Sequence, residues 1–497
     1  MSLSKSRYTR AFQCPKMLWM DLSKPEEGIN KADQSVLDNG SRVGDAAMEY
    51  FGDYKEVPFS YDKKEMCGIT EELLKENTPV ICEASFLYDD CFCSADILRK
   101  TDDGFELIEV KSSTSVHDIY VEDLAYQYYV LTNCNIPVVR AYVMYINNQY
   151  VRNGELDLKQ LFALKELTEE CKERINTVKQ IVEDTKAYLA QTEEPEKDIG
   201  TYCESPYDCA YMEYCRGLKG IPSPSVFDIG RLNTAKKYQY YYDGIITYED
   251  LLEKKVKLNA NQLLQVNEYL NHSPAHIEKE PIKQFLDTLT YPLYHLDFET
   301  FQQAIPEIDG IRPYEQIPFQ YSLHVQRSQG AEPEHYEFLA KEGEDPRRKI
   351  AESLVHDIPA DVCLLAYNSS VERGIIERLA NTFPDLHDHL IAVSKNIKDL
   401  AVPFSKKYYY TKEMGGNYSI KVVLPALCSD DPELDYHALD GIHNGGEAMS
   451  AFPDLVNHTP EEIEVIRKQL LAYCGLDTLA MVKVLEKLYE AVSDTEN

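Results

Sequence analysis

Three sets of side chains in this sequence have the types and spacing for chemistry. In FELIEVKSS (105–113) an apolar run ends with Glu109 and Lys111 two residues apart, so both sit on one face of an extended chain. Asp96 lies in the run before it, CFCSADILRK (91–100), across the turn signal KTDDG (100–104). Glu83 lies one run earlier still, in ICEASFLYDD (81–90). Carboxylates brought together across a hairpin suit a hard divalent ion such as Mg²⁺ or Mn²⁺, and a lysine beside them can steady charge developing on a phosphate. Gln127, on the next helical run, is placed to hydrogen-bond substrate or to orient Lys111.

The second set comes from the other end of the chain. Asp297 and Glu299 alternate with apolar neighbours in HLDFET (295–300), so both point to one side of a strand. Asn368 and Glu372 are four apart where a strand feeds a helix, and are expected on one helical face. Tyr473 and Asp477 repeat that spacing in YCGLD (473–477). Carboxylates from three separate elements can hold two cations roughly 3.5–4 Å apart, with Tyr473 orienting a water. Asp399 is expected to be structural, and Ser419 and Lys421 to line the substrate path. The third set is Cys203, Cys209 and Cys215, spaced six apart, with Cys14 as the fourth thiol; four such ligands suit zinc or a 4Fe–4S cluster.

The elements that must position these groups read as mixed α/β. A chain of 497 residues has room for two or three domains. Strand-like runs occupy residues 81–113, with a helix over YVEDLAYQYYVLTNC (120–134) and a strand at VVRAYVMYI (138–146). The spacing of Leu167, Cys171, Ile175, Val178, Val182 and Leu189 predicts an amphipathic helix from about Leu164 to Leu189. GLKGIPSPS (217–225) has linker composition, and helical patterns follow over 226–288. Their cluster of Lys236, Lys237, Tyr238, Tyr240, Tyr241 and Tyr242 suits either tyrosine packing or contact with a nucleic-acid strand. From YPLYHLDFETF (291–301) strands and helices alternate, with PFQYSLHVQ pairing the first strand, VCLLAYNSS leading into a helix, and a closing helix at 473–492.

A net charge of −33 excludes a generic basic nucleic-acid binder and leaves binding to local grooves and bridging ions. No apolar run is long enough to cross a bilayer, and MSLSKSRYTRAFQC lacks the apolar centre of a secretory signal. The expectation is a soluble, cytoplasmic protein, whose 13 cysteines serve as core thiols and metal ligands.

On Cys14, Asp96, Glu109-Val110-Lys111, Gln127 and the Cys203/Cys209/Cys215 trio, residues 1–216 resemble the RecB-like branch of the PD-(D/E)XK nucleases, in the subgroup with an iron–sulfur staple that includes AddB-type repair and CRISPR-adaptation nucleases. That resemblance implies metal binding by Asp96 and Glu109, water activation assisted by Lys111, and a 4Fe–4S cluster on the cysteines. Where the family carries a histidine on an early helix, this chain has Met48 and Glu49, and its first histidine is His117. Residues 289–490 resemble the DEDD 3′–5′ exonucleases of the RNase H-like fold, tyrosine variety. Asp297 and Glu299 match the first motif, Glu372 stands where most members have Asp, and Tyr473 with Asp477 matches the last. The pairing resembles a bacterial and archaeal family of RecB-like proteins whose C-terminal domain was long of unknown function. The expected organisation is a nuclease domain over 1–223, a helical connector over 224–288 and an RNase H-like domain over 289–497. The expected activity is metal-dependent hydrolysis of DNA, at single strands or 3′ ends, from two sites. The alternatives are an RNA exonuclease, or a scaffold in which one or both sites are inactive.

Overall fold

The computed structural model describes residues 2–29, 34–429 and 431–493. It is mixed α/β and divides into two compact units, residues 1–221 with 303–315, and residues 222–302 with 316–497. The stretch 224–288, expected as a connector, therefore lies within the second unit, and the excursion 303–315 lies within the first. Among the described residues, no helix is long and apolar enough to cross a membrane.

In the first unit a mixed sheet runs β2 (Lys55–Glu56), β3 (Val80–Tyr88), β4 (Cys91–Thr101), β5 (Gly104–Lys111), β6 (Val138–Ile146), β7 (Phe162–Glu166). β3, β4 and β5 are antiparallel, and β5 and β6 are parallel, joined by the helix α5 (Asp118–Asn133). A short leading strand, β1 (Leu3–Ser4), adds parallel to β4 and feeds α1 (Lys5–Gln13) and α2 (Pro15–Ser23). The helices α3 (Gln34–Met48) and α4 (Lys63–Lys75) precede β3. The β4–β5 hairpin closes at Gly104, where an added Cβ would lie 2.3 Å from the Pro137 carbonyl oxygen, so only glycine lets β6 come this close. α5 is buried almost all round, through Ile119, Val121, Leu124, Tyr126, Val130 and Leu131, as befits a helix at the centre of a core.

Two expectations for this unit shift. The amphipathic helix (α6) spans Thr168–Leu189 and does not begin at Leu164, because residues 162–166 pair with β6 as an edge strand. Glu169 and Glu170 then occupy its first turn, where the helix dipole favours acids. The excursion 303–315 belongs here because Ala304, Ile305 and Tyr314 enter the same core, and Arg152 Nη1 donates to the Pro306 carbonyl at 2.6 Å.

The second unit opens with helices α7 (Thr234–Tyr242), α8 (Tyr248–Glu253), α9 (Ala260–Leu270) and α10 (Lys279–Leu286). Of the α7 tyrosines, Tyr238 is buried against Phe227, whose carbonyl accepts from Lys237 Nζ at 2.6 Å, while Tyr242 is exposed. A five-stranded sheet follows, β8 (Leu293–Phe301), β9 (Ile317–Gln326), β10 (Glu334–Leu339), β11 (Cys363–Ala366) and β12 (Ile397–Asp399), in the order β10-β9-β8-β11-β12. The β10–β9–β8 pairs are antiparallel and the β8–β11–β12 pairs are parallel.

Along β8 the residues alternate cleanly. Tyr294, Leu296 and Phe298 enter a core with α11 (Arg347–Asp357), α12 (Ser370–Thr382) and α13 (His387–Lys395). His295, Asp297 and Glu299 take the opposite face. The long last helix (α16) packs over β9, where Gln320 Nε2 donates to the Leu470 carbonyl at 2.8 Å and Ser322 meets Thr478 at 2.6 Å. α16 runs from Pro460 to Val492, beginning well before the expected start at Tyr473 because Thr459 and Glu462 form a capping box there. The segment 415–427 does not immediately precede it: α14 (Ile420–Leu427) is followed by α15 (Gly445–Asp454).

Candidate metal centres

The first set is assembled by β-sheet register. Ile97 pairs with Ile108, so Asp96 stands opposite Glu109, and Asp96 Oδ2 accepts the Val110 N–H at 2.7 Å. Glu109 is 1% exposed and heavily bonded. Lys111 Nζ reaches its Oε1 at 2.6 Å, and Gln127 Nε2 its Oε2 at 2.6 Å. Gln127 thus holds Glu109; the residue that orients Lys111 is Asp123, one helical turn before Gln127, at 2.6 Å. Glu83 stands across from Asp96 between the Cys82–Ile97 and Ala84–Ala95 pairs, with a left-handed φ of 55°. It lines a cleft of about 820 Å³ with Asp96, Glu109, Lys111 and Met48, the last at the position where the resemblance calls for histidine. A thioether is a poor ligand for a hard ion.

One participant is absent from the sequence reading altogether. Lys5, the first residue of α1, places Nζ 3.2 Å from Asp96 Oδ1 and 2.9 and 3.0 Å from the two oxygens of Glu109. Its only sequence signal is a serine-capped helix start, SLSKSR, shared by countless surface helices. Burial raises the Glu109 carboxyl, but Lys111 and Lys5 outweigh it and hold the group well below the usual carboxylate range. Burial and the Glu109 charge push Asp96 up to about 7, and the same two causes push Asp123 up to about 6. As arranged, this set does not fit a divalent ion, because an ammonium stands where Asp96 and Glu109 would share one.

The second set is different in kind. Ligand atoms of Asp297, Glu299 and Cys474 all lie within 4.8 Å of one another. Glu372, in the first turn of α12, is 4% exposed and its Oε2 has no hydrogen-bond partner. Asp477 Oδ1 accepts from Tyr436 Oη at 2.6 Å, and Lys421 Nζ donates to Tyr473 Oη at 2.8 Å. An added Cβ on Gly445 would meet Glu299 Oε2 at 3.8 Å and Tyr473 Oη at 3.9 Å, so these two groups face the same small space. Burial, then Asp477, Glu299 and Glu372 in turn, raise Asp297 well above its ordinary value. Burial and Asp477 lift Glu299 to about 8; burial first, with Asp399 contributing, lifts Glu372 to about 7. Asp477 is also raised by burial. Mutually repelling buried carboxylates, one with an orphaned oxygen, fit a divalent cation.

Asn368 does not share a face with Glu372. It precedes the helix in a left-handed conformation (φ 62°), and its N–H donates to Asp399 Oδ1 at 3.1 Å. Asp399 also accepts the Ala401 N–H at 2.9 Å, a turn-holding role. Tyr436 and Cys474 escaped the sequence reading. Tyr436 comes from an irregular stretch without periodicity, and Cys474 reads as one more core thiol beside Tyr473.

The four cysteines of the third set line one cavity with Lys16 and Lys197. Cys14 caps the junction of α1 and α2, and no disulfide joins any of them. Burial, with the charges of Cys203, Cys14 and Cys215, pushes the Cys209 thiol up to about 12, so the four are close enough to feel one another. Such a donor set fits a thiolate-held metal centre, which would draw off those protons.

Residues 294–419 match a family model described as a domain of unknown function (DUF2779). That span holds Asp297, Glu299 and Glu372 and ends before Tyr473 and Asp477. No curated protein and no solved structure matches the chain.

Proposed function

We propose that the chain is a metal-dependent hydrolase of nucleic-acid phosphodiesters, working at the Asp297 centre on the 3′ ends of DNA strands. The observation that carries this is the meeting of Asp297, Glu299, Glu372 and Asp477, from β8, α12 and α16, in one buried space with Tyr473. Among the described residues, no lysine or arginine forms an ion pair with any of the four. Divalent ions bound there would supply an activated water and neutralise the phosphate. The chain's own part is to hold and aim. Tyr436 fixes the Asp477 carboxylate, while Lys421 fixes the Tyr473 hydroxyl as a positioned donor or acceptor beside Glu299. The burial of the acids keeps bulk water from screening them.

The four thiols around one cavity support a 4Fe–4S cluster, with zinc as the alternative. Lys16 and Lys197 supply positive charge beside a net-negative cluster. A mixed five-stranded sheet with acids on its central strand suits the RNase H-like reading of the second unit.

The test is degradation of 5′-labelled single-stranded DNA with Mn²⁺ or Mg²⁺, beside a matched RNA strand. Stepwise shortening of DNA that is lost in Asp297→Asn and in Asp477→Asn is expected. Shortening that persists in both variants, or occurs on RNA alone, would overturn the assignment.

A further inference from the structure

The first carboxylate set already contains a cation. Lys5 Nζ touches three oxygens from two strands at 2.9–3.2 Å, within the shared ground of Asp96 and Glu109. It is held there by backbone. β1 pairs Leu3 with Cys91 and Ser4 with Phe92, the Leu3 carbonyl accepts from Tyr126 Oη at 2.5 Å, and Ser4 caps α1. The other ammonium, Lys111, is committed to Glu109 and Asp123. Four carboxylates, Asp96, Glu109, Asp123 and Glu83, thus face two ammonium groups, and Lys5 supplies half of the charge that offsets them. A divalent ion entering with Lys5 in place would lie against a like charge on the same oxygens.

We propose that Lys5 is a resident counter-ion: its ammonium, and not any defect in Asp96 and Glu109, keeps divalent ions out of the first carboxylate set. The Lys5 side chain is 28% exposed and borders the 820 Å³ cleft, so it has somewhere to go.

The experiment is calorimetric titration of Mn²⁺ into the full chain carrying Asp297→Asn and Asp477→Asn, so that the second set is silent. Adding Lys5→Met is expected to create one Mn²⁺ site at least tenfold tighter than in the parent, and adding Asp96→Asn to Lys5→Met is expected to abolish it. Lys5→Arg keeps the charge and is expected to stay at the parent's affinity, which guards against a folding effect of the methionine. Equal affinity in parent and Lys5→Met, a gain independent of Asp96, or an equal gain in Lys5→Arg would each overturn the proposal. Mn²⁺ uptake by the second set, measured separately in the chain with Asp297 and Asp477 intact, tests the hydrolase reading on its own.

Discussion

The two carboxylate sets solve the same electrostatic problem in opposite ways. In the first, Asp96, Glu109 and Asp123 are matched by Lys5 and Lys111 at hydrogen-bond distance, and Gln127 takes up a further oxygen. In the second, Glu299, Glu372 and Asp477 are buried and Asp297 is half-buried beside them, and the nearby Lys421 spends its hydrogen bonds on Tyr473 and the His443 carbonyl. Buried charge must be paired or must shift its proton affinity. In the first set Glu109 is held down while Asp96 and Asp123 are raised to about 7 and 6, whereas in the second Asp297, Glu299, Glu372 and Asp477 are all pushed up. The first set carries its own counter-ions, and the second is a cluster of acids with no ion-pair partner among the described residues.

That contrast can be broken most forcefully in the first unit. Asp123→Ala leaves Lys111 with Glu109 alone and removes one charge-assisted hydrogen bond, and should cost about 1.5–3 kcal/mol of first-unit stability by chemical denaturation. Next, Asp297→Asn should lower Mn²⁺ affinity and strand hydrolysis by at least about 100-fold, since loss even of groups that merely support metal ligands costs 10–100-fold. Asp96→Asn should leave both within a few-fold.

The third prediction concerns pH. Glu299 and Glu372 have folded values near 8 and 7 against an ordinary 4.5. Their contribution to stability is therefore complete below about 4.5 and is lost as pH rises through 7 and 8. Metal-free protein should melt lower at pH 8.5 than at pH 5.5, by roughly a few degrees per group, and Glu372→Gln should flatten the trend. A melting curve insensitive to Glu372→Gln would put the second set on the same footing as the first. Smallest of all, Lys236→Ala on exposed α7 should change stability by no more than about 0.5 kcal/mol and leave strand binding intact.

Much of this frame was legible from residue pattern. The alternation in HLDFET placed Asp297 and Glu299 on one face, and the KTDDG turn placed Asp96 opposite Glu109, because side-chain direction in a strand follows directly from its period of two. What escaped is what periodicity does not encode. Lys5 enters its site through a two-residue strand, β1, too short to leave a pattern. Tyr436 sits in an irregular segment, and Asp123 reads as an ordinary helix acid until the fold buries it beside Lys111. The helix boundaries at Thr168 and Pro460 moved because local events, an edge strand and a capping box, outranked apolar spacing.

The measurement that bears most directly on the whole account is Mn²⁺ uptake by metal-free protein, compared across the parent, Asp297→Asn and Asp96→Asn. Uptake abolished by Asp297→Asn and unchanged by Asp96→Asn is the predicted result. Uptake that survives Asp297→Asn, or that disappears in Asp96→Asn, would contradict it.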